Sequence, residues 1–261
     1  MKAKTNGIEL NYEIHGNNGP WVVLSHSLAC DLHMWDDQIE QLKGRFRVLA
    51  FDTRGHGKSD APDGAYTLDQ LVEDVRGLLA GLGIEKPHWV GLSMGGMIAM
   101  SYALKYPDAF RSMVLCDTSS RIPPELAPVW ETRIKTANEQ GMKALVPGTL
   151  ERWFTEPFRA TRKDVTDRVA AMIEATSVTG YSGCCHAIPT INCTDRLHTV
   201  RCPVQIIVGE QDAGTPVAMS QAIHSAISGS ELVIIPEASH LSNLEQPQQF
   251  NRALTGFLSA H

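Results

Sequence analysis

Short runs of consecutive apolar residues recur along this chain, each too brief for a helix and each followed by turn-forming residues. They fall at Trp21–Ser25, Phe46–Phe51, His88–Leu92, Met113–Cys116, Val204–Val208 and Leu232–Ile235. A run apolar on both faces reads as a strand covered on both sides, which is how parallel sheets are buried. Between the runs lie segments of helical period: Met34–Leu42, Leu68–Leu82, Met97–Leu104, Val217–Ile227 and Phe250–Leu258. In the second, Leu68, Leu71, Val72, Val75, Leu78, Leu79 and Leu82 recur at steps of three and four. Strands alternating with helices imply right-handed crossovers, so the expected fold class is α/β, a mostly parallel twisted sheet with helices on both faces. Ile8–Ile14 differs, alternating apolar and polar residues as a half-buried antiparallel strand does.

The alternation stops after Cys116. Residues 120–195 contain no convincing strand but show helical stretches around Val129–Glu139, Met142–Phe154 and Asp164–Ser177, punctuated by Pro123, Pro124, Pro128, Pro147 and Pro157. This segment reads as a helical cap inserted into a core domain made of residues 1–119 and 196–261. It carries nine basic and nine acidic residues, so the net charge of -6 sits on the core domain. An acidic chain offers no electrostatic footprint for nucleic acid. No apolar run approaches the ~20 residues that cross a bilayer, and residues 1–10 lack a signal-peptide core, so a cytoplasmic location without membrane attachment is expected. The six cysteines show neither C-x-x-C pairing nor the spacing of a zinc site, and are expected to be reduced thiols.

Gly91-Leu92-Ser93-Met94-Gly95 carries the chemistry. A G-x-S-x-G alone is weak, but this one follows an apolar strand and opens a helix, the setting of a nucleophile elbow. The turn exposes the Ser93 hydroxyl at the C-terminal edge of the sheet, over a helix N-terminus that favours developing negative charge. The flanking glycines allow neighbouring backbone to approach where a Cβ would intrude.

A serine alcohol needs a base within hydrogen-bond reach. Of ten histidines, His240 follows the last apolar run and precedes the last helix, which returns it to the same sheet edge. His224 lies in a helical segment, His261 ends the chain, and His186 and His198 fall in or beside the cap. The acid that orients the base is expected to be Asp212, after the Val204–Val208 run, with Asp117 and Glu210 as rivals. Asp117 is expected to cap the entry to the inserted segment instead. The oxyanion hole should combine the amide of Met94, after the nucleophile, with that of Leu28 in the loop after an earlier strand.

Together with Asp52-Thr53-Arg54-Gly55-His56-Gly57-Lys58-Ser59, these segments resemble the α/β-hydrolase superfamily along nearly the whole chain. A narrower similarity is to 3-oxoadipate enol-lactonases. It rests on Leu24-Ser25-His26-Ser27-Leu28, Asp31-Leu32, Met34-Trp35, Cys116-Asp117-Thr118 and Arg152-Trp153-Phe154-Thr155. Ser27 departs from the superfamily, where glycine commonly follows the loop histidine, but lactonases of this type tolerate serine there. Gly57-Lys58-Ser59 is not the end of a phosphate-binding loop, because position 52 is Asp52 where that motif needs glycine. Asp52, Arg54 and His56 are expected to hold a turn behind the site.

The resemblance implies hydrolysis of a small ester or lactone through an acyl-enzyme on Ser93, with no metal or organic cofactor. An enol-lactone of 3-oxoadipate carries a free carboxylate, which a guanidinium binds well. Arg133, after Trp130, and Arg152, beside Trp153, are the candidates, with both tryptophans expected to line the pocket. Three other readings stay open: a carboxylesterase or lactonase for neutral substrates, a ligand-sensing protein of the same fold, and peroxyacid formation by the same triad. No feature of the sequence specifies an oligomeric state.

Overall fold

The computed structural model describes all 261 residues. The chain runs β1 (Lys2–Thr5), β2 (Ile8–His15), β3 (Trp21–Ser25), α1 (Asp36–Leu42), β4 (Arg47–Phe51), α2 (Leu68–Gly81), β5 (His88–Leu92), α3 (Met94–Lys105) and β6 (Ser112–Cys116). A helical stretch follows: α4 (Ala127–Gln140), α5 (Val146–Trp153), α6 (Glu156–Thr161), α7 (Lys163–Ala175) and α8 (Val178–Ala187). The sheet resumes with β7 (Val204–Gly209), α9 (Val217–Ala226), β8 (Glu231–Ile235), α10 (Ser242–Glu245) and α11 (Pro247–Ala260).

The strands form one sheet in the order β1-β2-β4-β3-β5-β6-β7-β8. From β4 to β8 all neighbours are parallel, whereas β1 and β2 are antiparallel. Every residue of β5 and β6 is buried, as their unbroken apolar runs require. Helices α1 and α11 pack against each other on one face, α2 and α3 on the other. One contiguous apolar cluster of 72 buried residues joins sheet and helices, including Phe154, Ile173, Tyr181 and Ile188 of the helical stretch. No helix is long and apolar enough to cross a membrane.

Helix α2 begins with a capping box. Thr67 Oγ1 accepts the Gln70 amide at 3.1 Å, and Gln70 Oε1 accepts the Thr67 amide at 2.9 Å. Helix α1 starts later than the sequence pattern suggests, because Leu32–Trp35 tightens into a 3-10 turn. The expected Met142–Phe154 helix likewise divides, with a 3-10 turn to Leu145 and α5 starting where Pro147 sits in the first turn. Three elements carried no periodic signal. β1 has a single apolar residue, Ala3, and owes its form to pairing with β2. α6 is six residues long, and α8 contains Gly180 and Gly183, which lower its intrinsic helicity.

Candidate active site

From Pro87 to Met100 every residue is buried except Ser93, which is half-exposed. Its backbone is held at φ 54, ψ -112, a sparsely populated region for a residue with a side chain. Such a conformation costs on the order of 1–3 kcal/mol and persists only when its surroundings over-determine it. Here the Ser93 amide donates to Cys116 O at 2.9 Å, and Ser93 O accepts the Thr118 hydroxyl at 2.6 Å. The turn also needs its glycines: a Cβ at Gly91 would lie 2.3 Å from Gly95 O, and one at Gly95 2.2 Å from Ser25 O.

His240 and Asp212 come from the loops after β8 and β7 and are both buried. His240 Nδ1 meets Asp212 Oδ2 at 2.8 Å, so Nδ1–H donates and Nε2 keeps its lone pair. The carboxylate is held from its other side. Asp212 Oδ1 accepts the amides of Gly214 (2.7 Å) and Thr215 (2.9 Å), and Oδ2 accepts the Thr215 hydroxyl (2.7 Å). Burial acts to raise the Asp212 carboxyl, but the facing His240 and the Thr215 donors prevail and hold it below the usual range. The Trp153 ring lies against His240, centroids 6.0 Å apart at 30°.

The rival acids face elsewhere. Asp117 does not cap the inserted segment. Its Oδ1 accepts the Gly209 amide at 2.8 Å and its Oδ2 the Ser242 hydroxyl at 2.6 Å, tying the end of β6 to β7 and to α10. Glu210 accepts only the Glu237 amide, at 3.3 Å.

The loop after β3 is built to leave one amide free. Ala29 N–H donates to His56 Nε2 at 3.0 Å and Cys30 N–H to Ser27 O at 3.2 Å, while the Leu28 N–H just before them has no protein partner. His26 Nδ1 donates to Ser27 O at 2.7 Å and its Nε2 accepts the Thr53 amide at 2.9 Å. Burial, with the neighbouring His26, pushes His56 down to about 3, and burial also lowers His26, so both rings stay neutral acceptors. Met94 opens α3, where its amide has no partner inside the helix. Behind this loop Asp52 accepts the amides of Leu32 and Lys58, and Arg54 pairs with Asp74.

A cavity of about 200 Å³ brings these groups together. Ser93, Leu28, His240 and Thr215 line it from the sheet side; Trp130, Arg133, Arg152, Trp153 and Tyr181 line it from the helical stretch. The two arginines are the only lining residues with a formal charge, and no carboxylate pairs with either. Arg133 stacks over Trp130 at 4.6 Å, and Arg152 Nη2 donates to Thr149 Oγ1 at 3.1 Å. Burial, and then the nearby Arg133, lower the Arg152 guanidinium from its ordinary value. Sequence reasoning missed Thr215, although Asp212-Ala213-Gly214 is the kind of stretch in which an aspartate binds its own following amides. It also missed Tyr181, which lies on a helix without periodic signal, and Glu245, whose partner Thr155 lies 90 residues away.

The profile of the alpha/beta hydrolase fold matches residues 20–247. The chain is 35% identical over 248 residues to 3-oxoadipate enol-lactonase 2 of Acinetobacter baylyi, covering 95% of this chain and 92% of that one. The crystal structure of the enol-lactonase from Burkholderia xenovorans superposes with a TM-score of 0.95 at 38% identity, covering 99% of this chain and 100% of that one. A putative carbamate hydrolase of a Caulobacter species is 28% identical over 263 residues, covering 96% of each.

Proposed function

The chain belongs to the α/β-hydrolase family, and from that premise we propose that it hydrolyses a small lactone or ester bearing a carboxylate, with 3-oxoadipate enol-lactone as the substrate. Residues 120–195 act as the lid over a core of residues 1–119 and 196–261. Ser93 Oγ attacks the lactone carbonyl as its proton passes to His240 Nε2. Asp212 keeps the ring in the required tautomer and stabilises the imidazolium. The amides of Leu28 and Met94 receive the oxyanion; losing one such donor typically costs ~10²–10³ in rate. The tetrahedral intermediate collapses with departure of the enol oxygen, which takes the proton from His240. The ring is then open, held to Ser93 through its acyl carbon. Water, deprotonated by His240, attacks that carbon; the Oγ–acyl bond then breaks, Ser93 Oγ takes the proton back from His240, and the second carboxylate is released.

The observation that carries the choice of substrate is the pair of guanidiniums, Arg133 and Arg152, in a cavity with no carboxylate to neutralise them. Burial and the nearby Arg133 keep the Arg152 guanidinium charged only at a cost, which a bound anion relieves. A second reading, a neutral ester, is favoured by the 13 hydrophobic residues among the 21 that line the cavity.

The test compares kcat/KM for 3-oxoadipate enol-lactone with that for a neutral ester of similar size, using Ser93→Ala as the blank. A charge-assisted contact should give the anionic substrate an advantage of about 10²-fold, and Ser93→Ala should abolish both activities. Equal rates would favour the neutral ester. Activity surviving in Ser93→Ala would remove the nucleophile, and a wild-type chain that turns over neither substrate would favour a ligand-sensing role. Adding peroxide to the assay would reveal peroxyacid formation.

A further inference from the structure

Beneath the His240 loop lies a buried carboxylate, Glu245, that does not line the cavity yet joins its two halves. Glu245 ends α10. One of its oxygens, Oε1, accepts the Thr155 amide at 2.9 Å and also the Thr155 hydroxyl. The other, Oε2, accepts the Ser239 amide at 2.8 Å. Thr155 lies just beyond α5, which carries Arg152 and Trp153; Ser239 immediately precedes His240. Two further bonds run alongside: the Ser239 hydroxyl donates to Arg152 O at 3.0 Å, and the Leu241 amide to Trp153 O at 3.2 Å. Residues 152–155 of the helical stretch and 239–241 of the sheet domain are therefore laced side by side, and one carboxylate spans both.

We propose that Glu245 is a positioning residue that sets the register between Arg152 and His240, so that an anion held by Arg152 presents its carbonyl at Ser93. The inference rests on the anionic-substrate reading above. Its physical basis is the acceptor count: Glu245 offers oxygen to donors on both sides, and no neutral side chain of that length does the same. With Gln at this position, one oxygen becomes an NH2 group that faces an N–H, and one of the two segments is released. Small misplacements of a bound substrate are expensive, up to ~10² in rate for about 1 Å. His240 keeps its own bond to Asp212, so a neutral ester, which does not use Arg152, depends less on this register.

The experiment measures the ratio of kcat/KM for the anionic lactone to that for the neutral ester in wild type, Glu245→Gln, Arg152→Ala and the double variant. Glu245→Gln should lower the ratio about tenfold, mainly through the lactone, and should lower it no further when Arg152 is already alanine. Thr155→Val, which removes only the hydroxyl, should lower the ratio in the same direction, and Thr155→Ser should restore it. These milder variants decide the matter if Glu245→Gln does not fold. Equal losses for both substrates, or the same loss in the Arg152→Ala background, would make Glu245 a merely structural clamp and overturn the proposal. A high wild-type ratio unmoved by Glu245→Gln or Thr155→Val would overturn it alone. A wild-type ratio near one would overturn the anionic-substrate reading and this inference with it.

Discussion

Three buried carboxylates, Asp117, Asp212 and Glu245, surround the loop that carries His240, and their partners separate their roles. Only Asp212 touches the ring. Asp212→Asn should therefore cost about 10⁴ in kcat by presenting the wrong tautomer, whereas Asp117→Asn should stay within about tenfold. A large loss in Asp117→Asn and a small one in Asp212→Asn would exchange the two assignments. The same pair separates by stability. Burial and the neighbouring Asp212 push the Asp117 carboxyl well above its ordinary value. A raised folded value means stability that is full below the unfolded value, about 4, and is lost as pH rises toward the folded one. Asp117→Asn removes that loss, so its melting temperature should improve relative to wild type between pH 5 and pH 8. Asp212 has the opposite sign: its depressed carboxyl contributes stability above the ordinary carboxylate range and loses it as pH falls. Ser93 and His240 were legible as residues because an elbow and a post-strand loop leave a pattern in the chain. The contrast between Asp117 and Asp212 was only half legible, since both follow a strand end and only the fold decides which reaches the ring.

Among the elements, α2 shows how the wall behind the site is held. Its Asp74 pairs with Arg54 through two contacts, Nε–Oδ2 at 2.7 Å and Nη2–Oδ1 at 2.6 Å, and both side chains are almost wholly buried. Arg54 belongs to the turn that also carries Asp52 and His56, so the pair ties that turn to the helix. Asp74→Ala should destabilise the protein by about 3–5 kcal/mol in urea unfolding, because it strands a guanidinium in the interior. A loss below about 1 kcal/mol would show that water or another acceptor reaches Arg54. Elements with strong periodicity were readable: α2 begins at the expected Leu68 and ends one residue before Leu82, and β3 and β5 match their apolar runs residue for residue. α8 was not, for a physical reason. Its Gly180 packs on Gly55 so closely that a Cβ would lie 2.0 Å from Gly55 O, and a residue chosen for that contact is a poor helix former.

At the scale of the whole molecule, the helical stretch between β6 and β7 shares one apolar cluster with the sheet. The two should therefore unfold together. Trp130 and Trp153 report on the helical stretch, and Trp21, Trp35 and Trp89 on the sheet domain, so fluorescence and far-UV circular dichroism should show one coincident transition. Two separated transitions would mean that the helical stretch unfolds as an independent unit. What the chain determines by itself is the class of fold, the strand-to-helix turn at Ser93 and the placement of His240 in a loop after the last strand, because these depend on local period and on the order of strands. The tertiary structure alone decides that Arg133 and Arg152 share one cavity without a counter-ion, and that Glu245 binds Thr155, 90 residues before it, as well as Ser239. Each of those is a contact between residues distant in sequence. A contact of that kind is set by how the helices settle on the sheet, and no periodicity along the chain encodes it.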